Sequence, residues 1–245
     1  MSSDKPSIYL ILGAAGSGRR EVVADLIDGG LGEGDRALVL LPADEAVCDT
    51  DAGLGEPGRW RLDEGRIEAP ELGDATHVFL VADGRRNPVD QVEAFQAWLP
   101  VSGGDLGRII CVISCALAAK HHEMYVWYDA CVHFSDVVLL NRREGLANKW
   151  MSGFEARYAG QFLPCLFELV KQRRVKNPAL ILEPQARRMT HVFDEELNWV
   201  VSGEDEDEAE GDEEVEAHPE VDPYLERRLG GRRVKEIPDV TKYLA

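Results

Sequence analysis

No stretch of this 245-residue chain stays apolar for long enough to cross a bilayer as a helix. The longest apolar-rich run, Ile109–Ala119, has only the length of a strand and a turn. The opening residues, MSSDKPS, lack the charged segment, apolar stretch and cleavage site of a signal peptide. Cysteine is sparse and odd in number: Cys48, Cys111, Cys115, Cys131 and Cys165 follow no disulfide-framework or metal-site spacing. These absences lead to the expectation of a cytoplasmic protein with reduced thiols and no membrane association. Positive charge is also scarce, with 27 Lys and Arg against 45 Asp and Glu and a net charge of −18. The imbalance is local. Between Glu204 and Asp222 there are twelve acidic residues and no Lys or Arg, and the rest of the chain carries about −6. An acidic balance of this kind excludes a general nucleic-acid surface but says little about the folded part.

What is present, over residues 7–183, is an alternation of apolar runs and helical patterns. IYLIL near the start, RALVLLP (36–42), HVFLVA (77–82), RIICVIS (108–114) and DVVLLN (136–141) read as buried strands. Val22, Val23, Leu26 and Ile27 define one helical face, and Val92, Phe95, Trp98 and Leu99 define another behind Pro88. The run 121–134 is expected to be helical, 146–174 mostly helical, and PALILEP (178–184) a last short strand. Strands alternating with helices imply an α/β fold with a mostly parallel sheet flanked by helices, and its ligand at the carboxyl ends of the strands. The organisation expected is a domain over 1–183, an extension over 184–202 and an acidic disordered linker over 203–222. A basic and apolar docking arm over 223–245 would follow, serving its own domain or an unknown protein partner.

The first strand ends in Gly13-Ala14-Ala15-Gly16-Ser17-Gly18-Arg19-Arg20. The glycine skeleton is that of a phosphate-binding loop, G-x-x-x-x-G-K-[ST], placed between a strand and a helix. Main-chain amides of such a loop, helped by the helix N-terminus, bind phosphate oxygens without any particular side chain. The two side-chain positions differ. Arg19 keeps the charge of the usual Lys in a bulkier, planar form. Arg20 replaces the hydroxyl that normally ligates magnesium and would repel a cation. Two other readings stay open: the glycine turn of a dinucleotide-binding fold, with Asp44 or Glu45 as its carboxylate, and a tight strand–helix turn with no ligand.

In segment order the chain resembles the CobW-type GTPases, P-loop proteins that act as metallochaperones or assist metal-cofactor insertion. The resemblance spans about residues 7–183. RALVLLPADEAVCDTDAGL (36–54) is similar to the second strand and following segment of that family, with Pro42-Ala43 where Asn-Glu would be. WRLDEGRIEAPEL (60–72) resembles the stretch that bears the G-C-x-C-C metal motif, but reads Gly65-Arg66-Ile67-Glu68-Ala69. VADGRRNPVDQV (81–92) keeps Gly84 and Pro88 of the E-x-x-G-x-x-x-P element, with Val81 in place of Glu. DVVLLNRREGL (136–146) is similar to the guanine-reading strand ending in N-K-x-D, here Asn141-Arg142-Arg143-Glu144.

The resemblance implies a P-loop NTPase-like fold that holds GTP or GDP through Gly13, Gly16, Ser17, Gly18, Arg19 and Arg20, with Asn141, Arg142 and Glu144 at the base. It implies little or no hydrolysis, since Arg20 and Val81 remove groups that organise magnesium. It identifies no zinc or cobalt site, since three thiolates are missing. Asp83 is the one candidate for a shifted magnesium ligand in a working GTPase. The alternative from another class is a scaffold that binds no nucleotide and acts through residues 224–245.

Overall fold

A computed structural model describes residues 5–194 and 221–244. Eight strands form one sheet: β1 (Ser7–Leu12), β2 (Ala37–Pro42), β3 (Gly58–Asp63), β4 (Arg66–Glu68), β5 (His77–Val81), β6 (Asp105–Ser114), β7 (Val137–Asn141) and β8 (Leu166–Leu169). Their order is β4-β3-β2-β5-β1-β6-β7-β8. Every pairing is parallel except β3 with β4. The helices are α1 (Arg19–Gly30), α2 (Pro88–Ser102), α3 (Cys115–Lys120), α4 (Met124–Phe134), α5 (Asn148–Ala159) and α6 (Pro178–Leu182), with a 3₁₀ turn over Asp49–Leu54.

Strand parity assigns the two faces of the sheet. Ile8, Leu10 and Leu12 of β1 pack with Phe95 of α2 and with Trp127, Tyr128 and Phe134 of α4. Tyr9 and Ile11 of the same strand pack with Val22, Val23 and Leu26 of α1 and with Ile181 and Leu182 of α6. A strand buried on both sides cannot alternate with polar residues, which is why the central strands read as unbroken apolar runs.

Two expectations are corrected, and one hairpin is new. The stretch 146–174 is helical only over α5; Pro164 cannot continue a helix, and Leu166–Leu169 adds to β7 as the edge strand. The segment 178–184 is the helix α6 rather than a strand. Pro178 sits in its first turn, where a missing N–H costs nothing, and Asn177 Oδ1 accepts from Leu180 N at 3.4 Å. Gly29 and Gly30 let α6 lie close on α1, since a Cβ on Gly30 would come within 2.8 Å of Leu182. Finally, residues 58–68, read above only for their missing cysteines, form the β3–β4 hairpin. Its turn uses Glu64 and Gly65, both at positive φ, with values of 44° and 78°.

The C-terminal arm lies on its own domain. Tyr224 and Val240 are buried in the α2–α4 layer. Arg233 reaches Asp90 at 2.8 Å and Glu93 at 2.6 Å on α2. Of the expected acidic linker, residues 203–220 lie outside the described residues. Asp222, its last residue, is half-buried, with Oδ2 2.7 Å from His133 Nε2. The part of the extension that is described, 184–194, crosses the base of the sheet: Arg187 N donates to Asp136 Oδ1 at 2.6 Å and Gln96 Nε2 donates to Val192 O at 2.7 Å.

Candidate phosphate-binding site

Three chain segments meet at the carboxyl end of β1: the glycine loop itself, the turn after β5 and the loop after β7. Gly13, Gly16 and Gly18 all take positive φ, 141°, 78° and 89°. Two close approaches make glycine obligatory. A Cβ on Gly13 would stand 2.4 Å from the Val112 carbonyl, and one on Gly18 would stand 2.4 Å from Asn141 Nδ2. From the other side Gly84 presses on the loop, where a Cβ would fall 2.2 Å from Ala15 N. The loop is braced by Ala15 N donating to Gly84 O and Ser17 N donating to Ala14 O, each at 3.1 Å.

Asn141, at the end of β7, donates from Nδ2 to Ser17 O at 2.8 Å. The structure therefore brings Asn141 to the loop from 124 residues away. The amides of Gly16, Gly18, Arg19 and Arg20 have no acceptor among the described residues, and no side chain caps α1. The Ser17 hydroxyl, fully buried within the loop, also has no partner. Open amides at a helix N-terminus together with an orphan hydroxyl form a local surplus of donors and positive potential.

The arginines do not reach where the loop pattern alone would send them. Arg19 is buried and turned inward, bonding to the Ala82 carbonyl and, through Nη2, to Glu45 Oε1 at 2.7 Å. Arg20 donates to Glu45 Oε2 at 2.7 Å, to both Asp51 oxygens at 2.8 Å, to Ala46 O at 3.0 Å and to Cys48 Sγ at 3.2 Å. Burial pushes the Glu45 carboxyl up, but the two guanidinium groups outweigh it and hold it below the ordinary range. Asp51 is likewise held low: burial raises it, and hydrogen bonds from Cys48 and Arg20 more than reverse that. Burial also works against the charge on Arg20, and the hydrogen bonds it donates to Glu45 and Asp51 raise its affinity for the proton all the same.

Glu45 and Asp51 as partners of the arginines were not legible in the sequence. They lie 25 and 31 residues from Arg20, and no spacing rule connects them.

The remaining candidates have separate fates. Arg142 takes positive φ, 53°, and bonds through Nη2 to Glu21 Oε2 at 2.6 Å beside Gly18. Glu144 is exposed in the loop after β7. Asp83 closes its own turn, accepting from Arg85 N at 2.9 Å and from Arg86 Nε at 3.2 Å, while its amide donates to Gln91 Oε1 at 2.6 Å. A carboxylate so engaged is poorly placed to take over magnesium ligation. The residues present do not fit a magnesium ion: its usual hydroxyl ligand is replaced by a guanidinium tied to two carboxylates. Among the described residues no group of three His, Cys, Asp or Glu could hold a metal. All five cysteines are free; four are buried and Cys48 is exposed.

Above the loop opens a cleft of about 410 Å³, lined by Gly16, Gly18, Arg19, Arg20, Arg85 and Arg142 together with Glu21 and Glu45. That volume lies within the usual span of small-ligand sites. Its rim is dominated by guanidinium groups, although the chain as a whole is acidic.

The sheet, the glycine loop and its following helix define the chain as an α/β protein of the P-loop NTPase-like class. No family model and no curated protein sequence matches it. The chain is similar to solved structures that include the Zn(II)-bound YjiA GTPase from E. coli, 13% identical, with a TM-score of 0.46, covering 76% of this chain and 67% of that one. A Zn(II)-bound triple mutant of YjiA GTPase has 14% identity and a TM-score of 0.45, covering 74% and 66%. The signal recognition particle receptor FtsY from Elizabethkingia anophelis in complex with GDP has 15% identity and a TM-score of 0.47, covering 80% and 66%. The chain thus spans about two thirds of the length of these proteins. At such identities and TM-scores the likeness carries no conclusion about this chain. No helix among the described residues is long and apolar enough to cross a membrane.

Proposed function

We propose that this protein is a nucleotide-binding pseudo-GTPase. It holds the phosphate chain of a nucleotide, a guanine nucleotide first among the candidates, on the amides of Gly16, Gly18, Arg19 and Arg20 and hydrolyses it little or not at all. The observation that carries the reading is the set of open amides of Gly16, Gly18, Arg19 and Arg20 at a cleft lined by arginines, on a loop that also buries the orphan Ser17 hydroxyl. Arg85 stands at the cleft wall to meet phosphate oxygens, beside Arg142, which is paired with Glu21. Glu144, exposed after β7, is available to accept the N–H donors of a guanine ring. The low hydrolysis follows from Arg20, which fills the magnesium position with a paired cation.

Thermal unfolding with GTP, GDP and ATP, in EDTA and in excess magnesium, tests this. A guanine nucleotide at 100 times its Kd stabilises by about 2.7 kcal/mol, a shift of about 5–10 °C, with or without magnesium. Gly18→Ala removes the shift, because the new methyl strikes Asn141. No shift with any nucleotide at millimolar concentration sinks the proposal. It then leaves the scaffold reading, which one observation favours: both loop arginines are already satisfied by carboxylates of the chain itself.

A further inference from the structure

The wall of the cleft contains an internal anion. Glu45 lies on the segment after β2, and its two oxygens each take one guanidinium, Oε1 from Arg19 and Oε2 from Arg20, both at 2.7 Å. The three side chains are nearly sealed from solvent, at 4%, 11% and 8% exposure for Arg19, Arg20 and Glu45. Two loop arginines bridged by one carboxylate present the arrangement a phosphoryl group would offer them: planar donors and oxygens that span both. The same pairing anchors the chain around Glu45. Arg20 also holds Ala46 O and Asp51, and Arg59 Nη1 donates to Glu45 O at 2.9 Å. Cys48, in the middle of this segment, is the one exposed cysteine and touches Arg20 at 3.2 Å. The glycine loop borders the same cleft through Gly16 and Gly18, and the amides of Gly16, Gly18, Arg19 and Arg20 have no acceptor among the described residues.

We infer that Glu45 is a built-in competitor for the phosphate subsite, so that the site admits ligands carrying a diphosphate, which displace the carboxylate from Arg19 and Arg20 and free the segment over residues 43–54. The inference rests on the phosphate-binding reading above. A monovalent anion offers the arginines no more than Glu45 already does, whereas a diphosphate brings more charge and reaches the loop amides as well. Displacement is an exchange of one anion for another at the same two cations, so neither guanidinium is left buried and unpaired. Glu45 is a positioning and selectivity residue here. It takes part in no covalent step.

Inorganic pyrophosphate in EDTA is the probe, with acetate and orthophosphate as controls, on the full chain. Calorimetric titration of Glu45→Gln is expected to give roughly tenfold tighter pyrophosphate binding than the unsubstituted chain, since the competing charge is gone. In the unsubstituted chain, saturating pyrophosphate is expected to speed alkylation of Cys48 severalfold, while the four buried cysteines stay unlabelled and acetate has no effect. The second measurement needs no variant and stands even if Glu45→Gln fails to fold. Pyrophosphate that binds while Cys48 labelling stays the same or slows overturns the exchange and leaves phosphate binding intact. Equal or weaker binding by a folded Glu45→Gln does the same. Pyrophosphate that binds neither chain overturns both the exchange and the function proposed above.

Discussion

At the scale of single residues, burial decides which charges are active. His77 shows it most simply. Its ring stacks on Tyr9 with centroids 6.0 Å apart, and Nδ1 lies 2.9 Å from Thr76 Oγ1. Burial drives its pKa below the ordinary value, more than Asp35 nearby can raise it. The unfolded chain therefore binds a proton at His77 at a higher pH than the folded one does. Stability rises with pH wherever the unfolded state holds more protons. So the contribution of His77 is fully present above about pH 6.5 and declines as pH falls from there toward the depressed folded value. Urea midpoints measured from pH 8 to pH 5 should fall in the unsubstituted chain and flatten in His77→Gln. Equal slopes in the two chains would reject the assignment. Histidine identity was plain in the sequence. Its burial was not, because that depends on Tyr9, 68 residues distant, arriving on the neighbouring strand.

At the scale of elements, the site is made by turns at strand ends. The glycine loop after β1 and the turn after β5 touch at Ala15 and Gly84 with no room for a side-chain atom between them. Gly84 needs no positive φ, so its requirement is purely steric. Gly84→Ala is expected to force the two turns apart, at a cost of about 1–3 kcal/mol, and to abolish pyrophosphate binding by displacing the amides of the loop. Chemical denaturation and calorimetry on the same preparation would check both halves. Full pyrophosphate affinity in a folded Gly84→Ala would contradict the placement. The loop itself was legible, because strand, glycines and helical face are contiguous. The contact with Gly84 was not, because closeness across two strands leaves no periodic trace. The misread elements have a similar cause. The edge strand β8 is short and half exposed, so it lacks the unbroken apolar run of the central strands. α6 is five residues long, too short to display a helical period.

At the scale of the molecule, the arm at the C-terminus completes the α2–α4 layer. Tyr224 is 4% exposed and packs against His133 and Phe134, with Lys235 over its ring at 3.7 Å. Arg233 pairs with two carboxylates of α2. Burial of an anchor this large makes the arm part of the fold. Tyr224→Ala is expected to cost about 3–5 kcal/mol, lowering the melting temperature by about 6–20 °C. Deletion of 223–245 should cost at least as much. An unchanged melting temperature in both would mean that the arm contributes nothing in cis.

The chain's own residues determined the α/β class, the glycine loop and the arginine pair Arg19-Arg20 at its end, because these depend on neighbours in sequence: apolar runs, turn glycines, adjacent side chains. An acidic tract followed by a patterned arm was likewise written in the order of residues. Tertiary structure alone decided that Arg19 and Arg20 turn to Glu45 and Asp51, that Asn141 braces the loop, and that the arm closes on its own domain. Ion pairing and close packing act through space over a few ångströms. Only the folded path of the backbone brings such distant residues within that reach.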